Sequence, residues 1–282
     1  MSRHAFPPNA RTLVASDLDR TLIYSTAALA LSMADEHAPR LLCVEVHESR
    51  PLSYMTESAS RLLAELADTV RFVPTTTRTR KQYRRISLPG RAPRYAICAN
   101  GGHLLVDGRT DHDWNAEMRR RLADGSAPLD EVVAHLAAVS DPEWRRKERV
   151  AEDLFAYLVV DREKLPVGWV KELAEWAEPR GWTVSLQGRK IYAVPKPLRK
   201  SAALAEVVRR TGVEQVLAAG DSLLDVDLLT AADMGWTPGH GELADTGWTA
   251  PHVTALGSVG VAAGEEILRR MLVRVSGEGA AA

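Results

Sequence analysis

A doubly wound, mostly parallel, Rossmann-like α/β sheet carrying a compact α+β insertion is the architecture this sequence predicts. Two observations point to it. Short apolar runs alternate with amphipathic stretches at both ends of the chain, a pattern that implies right-handed crossovers between parallel strands. The middle breaks this rhythm, being polar and charged at first and then showing strand and helix signals of its own. With 282 residues, 45% of them hydrophobic, the chain is long enough for one large core plus a smaller satellite domain.

Leu13 to Ala15 reads as the first strand, and Leu41 to Val46 as an additional strand or hairpin arm in the long segment before Thr56. Thr56 to Leu66 has apolar residues at helical spacing. Val70 to Pro74 and Tyr95 to Ala99 read as the second and third strands of the sheet. The stretch holding Arg78, Arg80, Lys81, Arg84, Arg85, Arg91 and Arg94 could face phosphate, but an Arg-rich solvated helix face is the favoured reading. From Asp111 to Arg149 the only clear helix is Leu129 to Val139. A strand (Leu154 to Val160), a helix (Val167 to Ala177) and two strand pieces (Thr183 to Leu186, Ile191 to Val194) follow. Asp107-Gly108 and Pro195-Lys196-Pro197 punctuate the two ends of this unit. Residues 1–108 and 196–282 are therefore expected to form the core domain and 109–195 the insertion. Ser201 to Arg210 reads as a helix, Gln215 to Ala219 as a strand and Asp225 to Ala232 as a helix. Gly257 to Glu266 reads as a loop entering a last helix, Glu265 to Val273. That loop lacks the strand–Gly-rich–Lys pattern of a nucleotide-binding loop. The tail from Ser276 is expected to be disordered.

Composition excludes several function classes. With 36 basic and 37 acidic residues, a net charge of −1 gives no global attraction to nucleic acid or anionic membranes. Cys43 and Cys98 lie far apart, with no metal-ligand spacing, and are expected to be buried as small hydrophobes. His103, His112 and His252 fit no ligand pattern and read as structural or surface residues. Met1 to Arg11 has no signal-peptide core, and no apolar run approaches the ~20 residues needed to span a bilayer. A cytoplasmic protein is the expectation; oligomeric state is not legible.

The chemistry gathers at strand ends. Asp17 and Asp19, in Ser16-Asp17-Leu18-Asp19-Arg20-Thr21, follow the first strand, where open α/β sheets hold their ligands. Side chains at i and i+2 of a strand share a side, so two carboxylates are crowded together. That is costly unless a cation, a proton or hydrogen bonds compensate it. An acidic strand-to-turn junction is the plain alternative. Val73-Pro74-Thr75-Thr76-Thr77-Arg78 sets hydroxyls at the second strand end, suited to a phosphoryl oxygen or to a helix cap. Lys200 opens a helix, against the macrodipole, so an anion is expected beside it, with Lys196 and Arg199 as competing choices. Gly220-Asp221-Ser222-Leu223-Leu224-Asp225 closes a buried strand with two further acids.

In this order, Asp17-x-Asp19-x-Thr21, Thr76, Lys200 and Gly220-Asp221-x-x-x-Asp225 resemble the four motifs of the haloacid dehalogenase superfamily of aspartate-nucleophile phosphohydrolases. The resemblance spans residues 13 to 230 and makes the insertion a type-two cap. Val73 to Arg80 and Ala99-Asn100-Gly101-Gly102 resemble the mannosyl-3-phosphoglycerate and sucrose-phosphate phosphatase group. Two departures stand out: Leu224, where the family often has Asn, and the long segment from Leu22 to Val70. The resemblance implies Asp17 as nucleophile forming an aspartyl-phosphate, and Asp19 as acid and then base. Thr76 and Lys200 would hold the transferring oxygens, with Asp225 orienting Lys200 or a metal-bound water. A Mg²⁺ ion would be held by Asp17, the Asp19 main-chain carbonyl and Asp221. Thr76, Thr77, Arg78, Asn100, Arg189 and Lys200 are the expected substrate contacts. Arg189 and Lys190 would reach a second anionic group or form a charged hairpin rim. The Asn100 segment reads equally as a plain turn. Trp169, Trp176 and Trp182 would line a sugar site or pack the cap core. The implied activity is release of phosphate from a small phosphorylated metabolite, with a phosphomutase or a non-catalytic phosphometabolite-binding protein as alternatives.

Overall fold

The computed structural model describes residues 11–278. Five parallel strands form the central sheet: β1 (Thr12–Ser16), β4 (Arg71–Pro74), β12 (Gln215–Ala219), β13 (Met234–Thr237) and β14 (Val253–Ala255). Their spatial order is β4-β1-β12-β13-β14. Ranked along the chain this is 2-1-3-4-5, a doubly wound order whose switch point falls between β1 and β12. β1 and the last four residues of β12 are buried, as parallel strands covered on both faces must be. Alternation along β1 sorts its side chains: Leu13 and Ala15 join one apolar cluster, Val14 the other. The Val14 face is covered by α1 (Glu57–Thr69) and α9 (Gly260–Glu278). The opposite face meets α6 (Lys200–Thr211) and α7 (Val226–Thr230), and its cluster runs on into the insertion.

Three antiparallel sheets surround this core. β2 (Leu41–His47) and β3 (Arg50–Thr56) make a hairpin from the long early segment, and the Thr56 hydroxyl caps α1 by accepting from Ala59 N. β5 (Tyr95–Cys98), β6 (His103–Val106) and β7 (Arg109–Thr110) form a second sheet, which crosses residue 108. β5, expected in the main sheet, meets it only through a parallel bridge between Thr75 and Ile97. The third sheet has the order β10-β11-β9-β8, from β8 (Arg145–Ala151), β9 (Phe155–Val160), β10 (Trp182–Gln187) and β11 (Lys190–Pro195). It carries α4 (Leu129–Val139) and α5 (Trp169–Ala177), whereas α3 (His112–Gly125) packs on β6 and the turn before it; α2 (Arg80–Tyr83) and α8 (Glu242–Thr246) are short turns of the core.

Several expectations change. Residues Asp111 to Arg149 hold α3 and β8 as well as α4. β8 is an edge strand, so its basic run Arg145-Arg146-Lys147 can face water and shows no apolar alternation. The Arg-rich stretch forms only the four-residue α2, and Arg78 and Arg80 are drawn into ion pairs. Cys98 is buried, whereas Cys43 is only half-buried. The last helix begins at Gly260 and runs through Ser276 to Glu278, so neither the expected loop to Glu266 nor disorder from Ser276 is seen; residues 279–282 lie outside the described residues, as do residues 1–10. Gly264 does not break the helix. A Cβ there would sit 2.9 Å from the Thr21 carbonyl oxygen and 3.1 Å from the Tyr24 ring, so the glycine lets α9 press onto the chain after β1.

In the insertion, Trp182 and Trp169 pack the core and donate to the carbonyls of Ala127 and Val139. Trp176 stacks on His135, their ring centroids 3.6 Å apart. Trp182→Ala should therefore lower the unfolding free energy by about 3–5 kcal/mol, measurable by chemical denaturation.

Candidate active site

All four motif segments converge at the C-terminal ends of β1, β4 and β12. The Asp17 N–H donates to the Ala219 carbonyl at 2.9 Å, extending the β1–β12 ladder by one residue and fixing the carboxylate at the switch point. Lys200, at the first turn of α6, is 1% exposed. Its Nζ donates to Asp17 Oδ1 at 2.6 Å and to Asp225 Oδ1 at 2.5 Å. The second Asp225 oxygen accepts from Asp221 N, Ser222 N and Ser222 Oγ at 3.2, 3.0 and 2.7 Å. Asp225 is thus fully engaged and acts as an orienter of Lys200 and of the loop after β12. A Cβ on Gly220 would lie 2.4 Å from Asp225 Cβ, which is why a glycine precedes Asp221.

Asp17, Asp221 and Asp225 bring carboxylate oxygens within 4.8 Å of one another, all of them buried. Burial, opposed by Lys200 and helped by Asp225 and Asp19, raises Asp17 to about 7. Burial and the charges of Asp17 and Asp225 push Asp221 well above the carboxylate range. The Lys200 ammonium and the Arg20 guanidinium together leave three buried carboxylates one positive charge short, and hard oxygen donors with such a deficit fit a divalent cation such as Mg²⁺. Asp225 has little left to offer it, so Asp17 and Asp221 are the side chains that fit. Arg20 Nε reaches Asp221 Oδ2 at 3.1 Å. Arg20 sits in the left-handed region at φ 64°, and its carbonyl is met by His240 Nε2 at 2.7 Å.

Asp19 has a different partner. Arg78 donates from Nε and Nη2 to its two oxygens, each at 2.7 Å. Burial opposes ionisation here, but the guanidinium outweighs it and holds Asp19 at about 2. Arg78 Nη1 reaches Glu45 Oε2 at 2.7 Å, and Glu45 also accepts from Ser53 Oγ and Arg85 Nε. The β2–β3 hairpin therefore delivers a buried acid to the site, which no motif announced. The only signal in the sequence is a charge inside the apolar run Leu41-Leu42-Cys43-Val44-Glu45-Val46.

The remaining predicted residues divide. Thr76 is buried, its Oγ1 accepts from Arg78 N at 3.1 Å, and its own O–H is left to donate. Thr77 is buried beside it, and Thr21 Oγ1 lies 3.4 Å from Asp17 Oδ2. Asn100 is buried at φ 55° with its Nδ2 bound to the Leu198 carbonyl at 2.8 Å, so it anchors the entry to α6. Arg189 is exposed in the β10–β11 turn, where its carbonyl accepts from Val160 N. Asn100 N also donates to the Thr76 carbonyl at 3.0 Å, which keeps its buried, unpartnered Oδ1 beside the end of β4, whereas Arg189 stays exposed on the insertion. Lys196 pairs with Glu178 and Arg199 is exposed, which leaves Lys200 as the basic residue of this segment in the site. His103, by contrast, sits against Glu152 at 2.6 Å as a structural residue.

Lys200→Met should cost about 3–5 kcal/mol of stability by leaving buried carboxylates without a counter-charge. The loss should be larger at pH 8 than at pH 6. Without the ammonium, Asp17 rises above its present value of about 7, so falling pH relieves the variant by protonation before it relieves the native chain. Mg²⁺ should raise Tm, more at pH 8 than at pH 6, because Asp17 and Asp221 must give up protons to bind it. Asp221→Asn should abolish that shift in a thermal melt.

No family model matches the sequence, and no curated protein matches it either. Solved structures do. The sucrose-phosphatase of Synechocystis sp. PCC6803, solved with sucrose and phosphate, superposes with a TM-score of 0.64 at 15% identity, over 93% of this chain and 98% of that one. A subclass IIB sugar phosphatase of the same superfamily gives 0.54 at 14% identity, over 93% and 98%. A trehalose-6-phosphate phosphatase related protein gives 0.53 at 17% identity, over 94% and 99%. Across nearly its whole length, the chain has the α/β fold of the solved haloacid dehalogenase superfamily phosphatases.

Proposed function

We propose that this chain is a Mg²⁺-dependent phosphohydrolase that removes phosphate from a small phosphorylated metabolite, of the sugar-phosphate kind, through an aspartyl-phosphate on Asp17. The observation that carries this reading is the buried Asp17–Lys200–Asp225 triad beside Asp221, at the switch point of a sheet whose fold is shared with sugar phosphatases. Asp17, Asp221 and the Asp19 main-chain carbonyl would hold the cation. When bound, it supplies positive charge that lets a phosphate dianion approach a carboxylate.

Asp17 attacks phosphorus, the bond to the leaving oxygen breaks, and an acyl phosphate forms. Lys200 holds Asp17 Oδ1 in place and offers its charge to the transferring oxygens, together with the Thr76 hydroxyl. Asp19 protonates the leaving alkoxide and then takes a proton from the water that attacks the acyl phosphate, which regenerates Asp17. With Arg78 clamped on it, Asp19 is anionic, the form needed for the second step. Its acid form requires the guanidinium to loosen, so substrate binding and protonation of Asp19 are linked through Arg78. Residues 109–195 serve as the cap that covers the leaving group and excludes water.

Asp17→Asn should reduce phosphate release by about 10⁴-fold or more, the scale expected when a nucleophile is removed. Release from the native chain should stop when the cation is chelated and return when Mg²⁺ is restored. The readout is free phosphate from a panel of phosphorylated metabolites, which also separates hydrolysis from phosphoryl transfer within one substrate. Full activity in Asp17→Asn would overturn the reading.

A further inference from the structure

The long segment after β1 carries a hairpin that none of the four motifs explains, and that hairpin is irregular at one residue. A regular strand turns successive side chains to opposite faces, yet Val44 and Glu45, neighbours on β2, are both 2% exposed. The β2–β3 register shifts on both sides of Glu45, between Cys43 and Glu45 and again between Glu45 and Val46. Val44 thereby enters the apolar core while Glu45 turns to the strand ends, the way a bulge re-aims a side chain. The irregular strand is fixed along its other edge. There Glu45 bridges Ile86, and Ser87 N donates to the Val44 carbonyl at 2.8 Å. Tyr24 and Tyr54 exchange main-chain hydrogen bonds at 2.8 Å, which ties the hairpin to the chain leaving β1.

A buried glutamate is costly unless its partners are close, and its partners here lead to Asp19. Glu45 Oε2 accepts from Ser53 Oγ and Arg78 Nη1, each at 2.7 Å, and Oε1 accepts from Arg85 Nε at 3.1 Å. Ser53 stands across from Glu45 in the register and also accepts from Arg78 Nη2 at 3.2 Å. The front of the same guanidinium, Nε and Nη2, grips the two Asp19 oxygens. A guanidinium is planar and its donors are fixed relative to one another. The grip of the hairpin on one side therefore sets the angle of Asp19 on the other. The Asp19 side chain stays 37% exposed, so its free face is open to a substrate.

We infer that Glu45, aimed by the irregularity in β2 and helped by Ser53, is a positioning residue: it fixes Arg78 and, through Arg78, the orientation in which Asp19 meets the leaving oxygen. This rests on the phosphohydrolase reading and gives the long early segment a part in that reaction. In the first step Asp17 bonds to phosphorus, the bond to the leaving oxygen breaks, and the Asp19 proton passes to that oxygen. With Nη1 on Glu45, the guanidinium stays beside Asp19 while Asp19 carries the proton.

The test compares phenyl phosphate with p-nitrophenyl phosphate, esters of nearly equal size whose leaving oxygens differ in their need for a proton. In Glu45→Gln, which keeps the size and one acceptor but not the charge, kcat/KM should fall further on phenyl phosphate. The excess loss should be roughly tenfold or more, a part of what a general acid contributes. Ser53→Ala should move the ratio the same way by less, and it decides by itself if Glu45→Gln does not fold. A merely structural role lowers both esters alike. A ratio that keeps its native value or moves the other way overturns the inference, whatever loss the two esters share. Failure of the native protein on every ester, metabolites included, is instead failure of the phosphohydrolase reading. Where no ratio can be taken, solution NMR decides the hold on Arg78. Its Nε–H, identified by its absence in Arg78→Lys, should exchange with water roughly tenfold faster in Glu45→Gln. Unchanged exchange overturns the inference.

Discussion

The buried ammonium of Lys200 between Asp17 and Asp225 is the contact on which the site depends. It joins the end of β1, the loop after β12 and the first turn of α6, segments separated by up to 208 positions in the chain. Burying one such ion costs several kcal/mol unless its partners are close and its remaining hydrogen bonds are satisfied. Asp225 meets that demand through three donors of its own loop, and Asn100 meets it indirectly by holding Leu198 just before the helix. A lysine at a helix start opposes the macrodipole, but that effect is of order 1 kcal/mol at most for an ordinary site, and two carboxylates at hydrogen-bond distance outweigh it.

Charge at the site is divided between two regions. Around Asp17 and Asp221 negative charge is in excess, and both carboxyls are driven up by burial and by one another. Around Asp19 the balance reverses, because Arg78 arrives with two donors and Glu45 holds the guanidinium from behind. Two aspartates only two residues apart thus differ widely in acidity, Asp17 at about 7 and Asp19 at about 2. Neighbours set this difference, since the two residue types are identical. The hairpin from the long early segment belongs to the site for this reason: without Glu45, Arg78 would keep a single carboxylate partner, with Ser53 Oγ at 3.2 Å as its other acceptor.

The fold was legible where local chemistry and burial agree. The all-apolar strands β1 and β12 and the amphipathic α1, α4 and α6 follow from periodicity, and the sequence alone places the paired acids, Thr76, Lys200 and Asp221 at strand ends. It does so because a parallel sheet buries both faces of its strands and exposes their ends, so polar residues that abruptly follow an apolar run mark the site. β8, α3 and the start of α9 were not legible. A charged edge strand lacks alternation, α3 is mostly polar, and Gly264 has the composition of a loop although it serves close packing against Tyr24.

What the sequence by itself determined is the identity and order of the acids, hydroxyls and base, and hence the class of chemistry they can perform. Only the tertiary structure decided their partners. Arg78 turns inward to Asp19 instead of facing solvent, Asn100 serves the backbone, and Lys190 instead of Arg189 faces the strand ends. The physical reason is that side-chain facing on a strand changes with every residue, and pairing energies depend on distances between segments far apart in the chain. Neither quantity is written in local composition.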